Sequence, residues 1–401
     1  MRVIHQRFGR AVVAAAFGGL CAFAMQPAQS VAADTLRPDV AKPLNAAQDL
    51  YRAHKYRDAL TKIDQAAAVP GKTAYETYMI QEMRGAAAAA AGDNATAAQA
   101  YESLLSSGQL KGADEQRTEA ALAGIYFQQK NYAQAIRVAQ RYQKAGGTDP
   151  DMRVLLVQSY YLSNDCTNVV NLLRPGIDAT ARASRAPDES QLQLLATCAQ
   201  RVKDDTTYRG SLEKLVAYYP KQSYWDDLFH SIRSKSHYAS ALDIDTYRLR
   251  RATNALATPD DYMEMTQLAI VAGTTAEAKQ VIDQGFTSGV LGHDAGADRE
   301  KRLQALAAKR AQAPADAANP VEPIDAGFNL VFAGKTAQGL AAMEAAIAKG
   351  GLDHPDQAQL HLGVAYYIAG QKAKAIQAFR AVKGDDGSAD LARLWILVAS
   401  K

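Results

Sequence analysis

Small and apolar residues recur along this chain in one pattern. A small residue is followed by an apolar one three positions on, a second small one nine further, and another apolar one four after that. Gly363, Tyr366, Ala375 and Phe379 give its clearest form. Spacings of three and four put each pair on one face of a helix. Ala369-Gly370-Gln371 between them breaks the first helix and reverses the chain. With the third position as marker, copies fall at Ala59, Ala97, Ala135, Val169, Tyr208, Ala241, Ala278, Gly339 and Ala375, at intervals of 38, 38, 34, 39, 33, 37, 61 and 36 residues. Strand signals are nearly absent: no sustained alternation of β-branched residues is bounded by Asn-Gly or Asp-Gly turns. The pattern predicts an all-α chain of about nine helical hairpins. One such hairpin cannot bury its own apolar face, so the copies must stack.

Fidelity to the pattern varies. Ala123, Tyr126, Ala135, Ala139 and Gly85, Ala88, Ala97, Tyr101 are good copies, and Gly327, Leu330, Gly339, Met343 keeps the small positions. Val157, Tyr160, Val169, Leu173 and Ala196, Ala199, Tyr208, Leu212 stay apolar but lose some small residues. Phe229, Ile232, Ala241, Asp245 loses its last apolar position and is the weakest. The long interval holds a helix-like stretch, 297–313, and then Pro314, Pro320 and Pro323 among alanines, which stop helices. The expected organisation is an N-terminal array over 34–312, a Pro/Ala-rich linker over 313–323, and a C-terminal pair of hairpins over 324–401. The last segment ends in a capping helix, Ala389 to Ala399.

These positions resemble the tetratricopeptide repeat, and the resemblance runs in register from about residue 44 to residue 385. It implies a right-handed α-solenoid whose first helices line a concave face. Residues on those helices that point away from the small packing positions would form a protein-binding groove: Tyr51, Phe127, Gln158, Tyr161, Gln200, Asp226, His230, Arg233, Gln267 and Tyr367. Aromatic, amide and mixed-charge side chains suit an extended peptide or a partner helix. The lysine and asparagine with which some members of the family grip a C-terminal carboxylate do not occur at the matching positions. The runs Tyr218-Tyr219-Pro220-Lys221 into Tyr224-Trp225, Asp283-Gln284-Gly285-Phe286 through Gly289-Val290, and Leu362 to Tyr367 followed by Trp395 resemble periplasmic proteins of this family encoded with TonB–ExbB–ExbD systems. That resemblance implies a scaffold in an envelope complex, with proteins or peptides of the cell envelope as partners. An assembly adaptor for outer-membrane proteins or cell-wall enzymes is the alternative, and a small-ligand or glycan-binding protein a more distant one.

The N-terminus changes the charge argument. Arg2, Arg7 and Arg10 precede an uncharged apolar stretch, Ala11 to Met25, and small residues follow through Ala33. This is the pattern of a secretory signal peptide over residues 1–33, with cleavage near Ala33 and a periplasmic mature protein. The stretch is short for a membrane span, which needs about 20 residues; retention as an anchor is the alternative. The chain has 45 Lys+Arg and 42 Asp+Glu. Residues 1–33 hold three Arg and no acidic residue, so the mature chain carries 42 of each. No basic stripe remains for nucleic acid. The tight cluster Arg248-Leu249-Arg250-Arg251 reads as a solvated helix end complementing the dipole.

Cys166 and Cys198 are the thiols left after processing, 32 residues apart. An even count in an oxidising compartment points to one disulfide between neighbouring repeats; two buried free thiols are the alternative. Catalytic and metal signatures are missing. His230/His237 and His354/His361 are seven apart, two helical turns rather than one, and neither pair has the Glu of His-Glu-x-x-His. His361 is expected to pack on a repeat face. Gly285, Gly289 and Gly292 follow a helix rather than a strand, and no Gly-x-Ser-x-Gly elbow occurs. Asp226-Asp227 and Asp260-Asp261 are expected at first turns of helices. The sequence predicts no enzyme, no cofactor and no metal.

Overall fold

The computed structural model describes residues 35–293, 295–313 and 323–400, and among these it is all-helical. The signal peptide expected over residues 1–33 and most of the proline segment lie outside the described residues. The chain forms two compact units that divide after Asp205. The first contains α1 (Pro38–Arg52), α2 (Tyr56–Ala67), α3 (Ala74–Ala91), α4 (Asn94–Ser106), α5 (Ala113–Gln128), α6 (Tyr132–Lys144), α7 (Pro150–Leu162), α8 (Cys166–Arg182) and α9 (Glu189–Arg201). The second contains α10 (Asp205–Tyr218), α11 (Gln222–Arg233), α12 (Asp243–Ala252), α13 (Pro259–Val271), α14 (Thr275–Thr287), α15 (Ala297–Gln312), α16 (Pro323–Phe332), α17 (Thr336–Lys349), α18 (Pro355–Ile368), α19 (Lys372–Ala381) and α20 (Ser388–Ala399). Residues 323–400 thus pack in one unit with residues 206–313.

The hairpin turns obey a rule at the level of the backbone. Five residues before the marker, the chain steps into the left-handed region at His54, Gly92, Lys130, Asn164, Lys203, Gly273, Gly334 and Gly370. Two hydrogen bonds close each helix end; for Gly370 and Gln371 they run back to the carbonyls of Tyr367 and Tyr366. The next residue then starts the following helix. Asp93, Asn131 and Asp165 each accept a hydrogen bond from the backbone N–H three residues on, satisfying a donor the helix leaves orphaned. This junction accounts for the tight reversal, and the marker residues that follow are packed inside. Ala59, Ala97, Ala135, Val169, Ala278 and Ala375 are fully buried.

Close helix approach explains the small residues. A Cβ at Gly85 would lie 2.5 Å from the Tyr101 ring, and one at Gly363 would lie 2.5 Å from Cδ1 of Phe379. In these two copies the aromatic of the second helix fills the space that the missing side chain leaves on the first. In the first unit Cys166, at the first position of α8, is joined to Cys198 of α9 as a disulfide with its Cα atoms 4.8 Å apart. Both residues are buried.

The sixth copy breaks the rule. Ser236 does not enter the left-handed region; residues 234–242 instead form an open connection ending in a short 3-10 turn, Ser240–Leu242. The expected marker Ala241 is exposed and precedes the second helix rather than lying on it. The last helix docks on this connection. The Ala239 N–H donates to the Asp386 carbonyl at 2.9 Å, Lys235 pairs with Asp390, and the Tyr238 ring lies against Gly387, whose φ is 105°. Arg393 of α20 reaches Glu213 of α10 at 2.8 Å. Trp395 is buried between Phe379 at 5.8 Å and Tyr367 at 5.1 Å. The capping helix therefore ties the end of the unit to its beginning.

A buried ionic cluster secures α12 inside that ring. Arg248 donates to Asp245 at 2.8 Å and to Glu277 of α14 at 2.7 Å, and all three side chains are almost fully enclosed. His361 of α18 meets Asp245 through Nε2 at 3.1 Å and Asp325 of α16 through Nδ1 at 3.5 Å. Its ring stacks on Phe328 at 5.2 Å, and the Arg248 guanidinium lies over the same ring at 4.5 Å. Burial pulls the His361 pKa down, but Asp245, with Asp325 adding to it, more than reverses this, raising it to about 9. Burial likewise opposes ionisation of Asp245, and His361 and Arg248 overcome it, leaving that carboxyl at about 2. Arg248 is a correction to the sequence reading, which placed it on a solvated helix end. His361 does pack on a repeat face, as expected.

Candidate protein-binding surface

Seven of the ten residues expected in a groove occupy two recurrent registers. Tyr51, Phe127, Tyr161, Gln200 and Tyr367 each stand three residues before a left-handed turn, in the last turn of a first helix. Gln158 and Gln267 stand one turn earlier. In the first unit Tyr51 packs against Tyr56 at 5.3 Å and Phe127 against Tyr132 at 5.7 Å, both rings half-buried. Arg201 lies over Tyr161 at 5.1 Å. Gln158 is half-buried and Gln200 exposed. Burial raises the Tyr51 hydroxyl, with Tyr56 adding to it. In the second unit Gln267 is exposed, and Tyr367 is turned onto the capping helix.

Asp226, His230 and Arg233 are the three that the structure brings together. They line one wall of a cleft of about 410 Å³ whose opposite wall is α12. The cleft exists because the sixth hairpin lacks its tight turn: without the left-handed residue, α11 and α12 are held apart by the connection 234–242. Phe229 from α11 and Tyr247 from α12, both nearly fully buried, form the floor. Arg250 stacks over Tyr247 at 5.4 Å and pairs with Asp261 at 3.1 Å and Asp226 at 3.4 Å. Its Nε is buried without a hydrogen-bond partner. Arg233 pairs with Asp243 at 3.0 Å and stays exposed, as does His230. Burial and the Glu264 carboxylate raise the Tyr247 hydroxyl, and burial and Asp226 raise the neighbouring Asp227 carboxyl, with His230 opposing.

Two sequence expectations change here. Asp226 and Asp227 lie in the second turn of α11, where Asp226 holds an arginine rather than complementing the dipole. Asp261, by contrast, caps the start of α13 in a reciprocal box with Thr258, as expected for the other pair. Arg250 and Tyr247 were not expected in a binding surface. The signal that could have found them is the turn itself, since Ser236 stands where every other copy has a left-handed turn. Among the described residues, no group of His, Cys, Asp or Glu is arranged to hold a metal ion, and no helix is long and apolar enough to cross a membrane.

The tetratricopeptide repeat family model matches residues 44–114 and 325–390, which are α1–α4 and α16–α19 with their flanks. Those segments carry the likeness to tetratricopeptide repeats. Their small and aromatic positions are the ones in contact at Gly85–Tyr101 and Gly363–Phe379. No curated protein is similar to the chain at a significant level. Solved structures that share a likeness include residues 41 to the end of MamA from Desulfovibrio magneticus RS-1, at 15% identity and a TM-score of 0.32, covering 50% of this chain and 99% of that one. Naa15/Naa10 bound to HypK-THB shows 14% identity and a TM-score of 0.34 over 88% of this chain and 58% of that one. Yeast Tom70 shows 10% identity and a TM-score of 0.25 over 90% and 95%. The tetratricopeptide assignment rests on the matched segments and on the contacts inside them.

Proposed function

We propose that this chain is a non-enzymatic tetratricopeptide scaffold that holds partner proteins in a periplasmic envelope complex, with TonB-dependent energy transduction as its setting. The observation that carries the reading is the cleft of Asp226, His230 and Arg233, where solvent-facing polar side chains surround a buried aromatic floor on a repeat fold. Interfaces of this kind gain affinity from aromatic and arginine anchors and specificity from the polar rim. The compartment is supported by the N-terminal charge and apolar pattern over residues 1–33. The TonB setting is supported by the resemblance of the runs 218–225, 283–290 and 362–367.

Site-specific photocrosslinking in cells tests this directly. A crosslinker in place of His230, and separately in place of Gln158, should capture defined envelope proteins, with TonB, ExbB or ExbD among them. Capture of cell-wall synthases or outer-membrane assembly factors instead would move the chain to the adaptor role. If neither position yields a crosslinked protein, the scaffold reading falls.

A further inference from the structure

We infer that the exposed face of α15 docks on an anionic lipid surface, a leaflet containing phosphatidylglycerol. The observation is a cationic stripe on the helix that stands alone in the long interval between the seventh and eighth copies. Arg299, Arg302, Lys309 and Arg310 are all exposed, and Leu306, 42% exposed, lies among them. From the helical rotation per residue, the four cations fall within an arc of about 100°, two on each side of the line through Leu306, over about 16 Å of helix. The opposite side packs into the fold. Leu303 and Ala307 are buried against α13 and α14. Glu300 accepts the Gly292 N–H at 2.6 Å, and Gln304 donates to Asp283 of α14 at 2.7 Å. These contacts fix the rotation of α15 and hold the stripe outward. The equal count of 42 basic and 42 acidic residues in the mature chain conceals this stripe, which the sequence reading did not find.

Three observations set these charges apart from an ordinary solvated face. First, among the described residues none of the four is joined to a carboxylate, and Asp298, the one exposed acidic residue of α15, is bonded to none of them. Second, half of the stripe works against the helix. Arg299 lies in the first turn, where the macrodipole repels a cation, and its spacing of three from Arg302 sets like charges side by side. Only Lys309 and Arg310, in the last turn, complement the dipole. Third, the face lacks what a protein partner uses. No aromatic ring stands in it, and Leu306 is its one large apolar side chain. Long cationic side chains around a single leucine suit a plane of lipid headgroups, which meets all four charges at once without matched hydrogen-bond geometry. The leucine has no counterpart on a nucleic-acid backbone. Because the apolar side of α15 is already buried, the helix rests on the headgroups and does not insert.

The test uses the chain from residue 34 onward, which keeps every described helix, and cosedimentation with phosphatidylcholine vesicles that contain or lack phosphatidylglycerol. Binding should require phosphatidylglycerol and weaken as salt rises. Basic and acidic residues balance in this chain, so net charge alone gives no such attraction. Each cation at an anionic surface contributes roughly fivefold in partitioning, so Arg302→Ala with Lys309→Ala should lower binding about 25-fold. Circular dichroism and thermal unfolding should stay unchanged, since both side chains are exposed. Arg302→Lys with Arg310→Lys should bind as the parent does, because charge and not fork geometry is required. Lys335→Ala with Lys349→Ala, an equal loss of charge at exposed sites off α15, should also bind nearly as the parent does. No binding to the anionic vesicles, or equal losses in the two alanine pairs, would overturn the inference. Duplex DNA or polyglutamate that binds as tightly as the vesicles, and through Arg302 and Lys309, would move the stripe to an acidic macromolecule and overturn the lipid assignment. The scaffold reading, tested by crosslinking, stands or falls separately.

Discussion

Replacing Gly363 by alanine tests the packing rule that defines these repeats. The added Cβ would sit 2.5 Å from Cδ1 of Phe379, where ordinary contact begins near 3.4 Å. Phe379 has no room to retreat: it is buried, and Trp395 is stacked on it at 5.8 Å with an interplanar angle of 12°. Overpacking of this kind costs about 1–3 kcal/mol. Alanine in a helix interior regains roughly 0.5–1 kcal/mol over glycine. The net expectation is a loss of about 0.5–2 kcal/mol for Gly363→Ala. Gly210 supplies the control, because a Cβ there would meet nothing closer than Lys214 Nζ at 4.0 Å. Gly210→Ala should therefore gain roughly 0.5–1 kcal/mol from the same chemical change. Both tryptophans, Trp225 and Trp395, belong to the second unit, so urea titration followed by tryptophan fluorescence reads the unit in question. The double variant Gly363→Ala with Phe379→Leu should show a favourable coupling, since the smaller side chain relieves the clash. If Gly363→Ala proves as stabilising as Gly210→Ala, the Gly–aromatic contact is not what sets helix spacing here.

Other consequences are equally open to measurement. His361 has its pKa raised to about 9 from 6.5, so its contribution is fully present below the unfolded value and is lost as pH rises through about 9. The second unit should lose stability between neutral pH and pH 10 in urea titrations, and His361→Gln should flatten that dependence; an unchanged slope would remove His361 from the cluster. Reducing the Cys166–Cys198 disulfide should lower the stability of the first unit by roughly 3–4 kcal/mol in the chain-entropy picture, read as faster hydrogen exchange in peptides from α7 to α9. Lys130→Gly should be neutral or stabilising, and Gly370→Ala should cost about 1 kcal/mol, because only glycine enters the left-handed region without a Cβ penalty; calorimetry that ranks the two in reverse would dispose of the turn rule.

The hairpins were legible because everything that makes them is local. Gly92, Asn164 and Gly370 announce their turns, and the small residues that allow close approach recur in register with them. What the sequence could not reveal is sequence-distant. Asp245 reads as a defect at an apolar position until His361, 116 residues on, is placed beside it. The run Arg248 to Arg251 reads as a basic helix end because Glu277 and Asp226 approach from other helices. The same holds for the candidate surface. Asp226, His230 and Arg233 were found from helix register alone, whereas the opposite wall came from an irregular connection that no periodicity describes.

A linear stack of repeats comes apart from its ends, because each terminal hairpin answers only to one neighbour. The second unit has given up that freedom. Arg393 on Glu213 and Asp390 on Lys235 bind its last helix across 180 and 155 residues of chain, and His361 adds a third tie across 116. Fraying from the C-terminus must break charge pairs at the front of the unit before the final hairpin can leave. Such a unit should open all at once rather than hairpin by hairpin, and should fold slowly for a helical protein, since its closing contacts wait on long loops. It should also tolerate no trimming of its last helix, the element that a repeat count alone would mark as expendable.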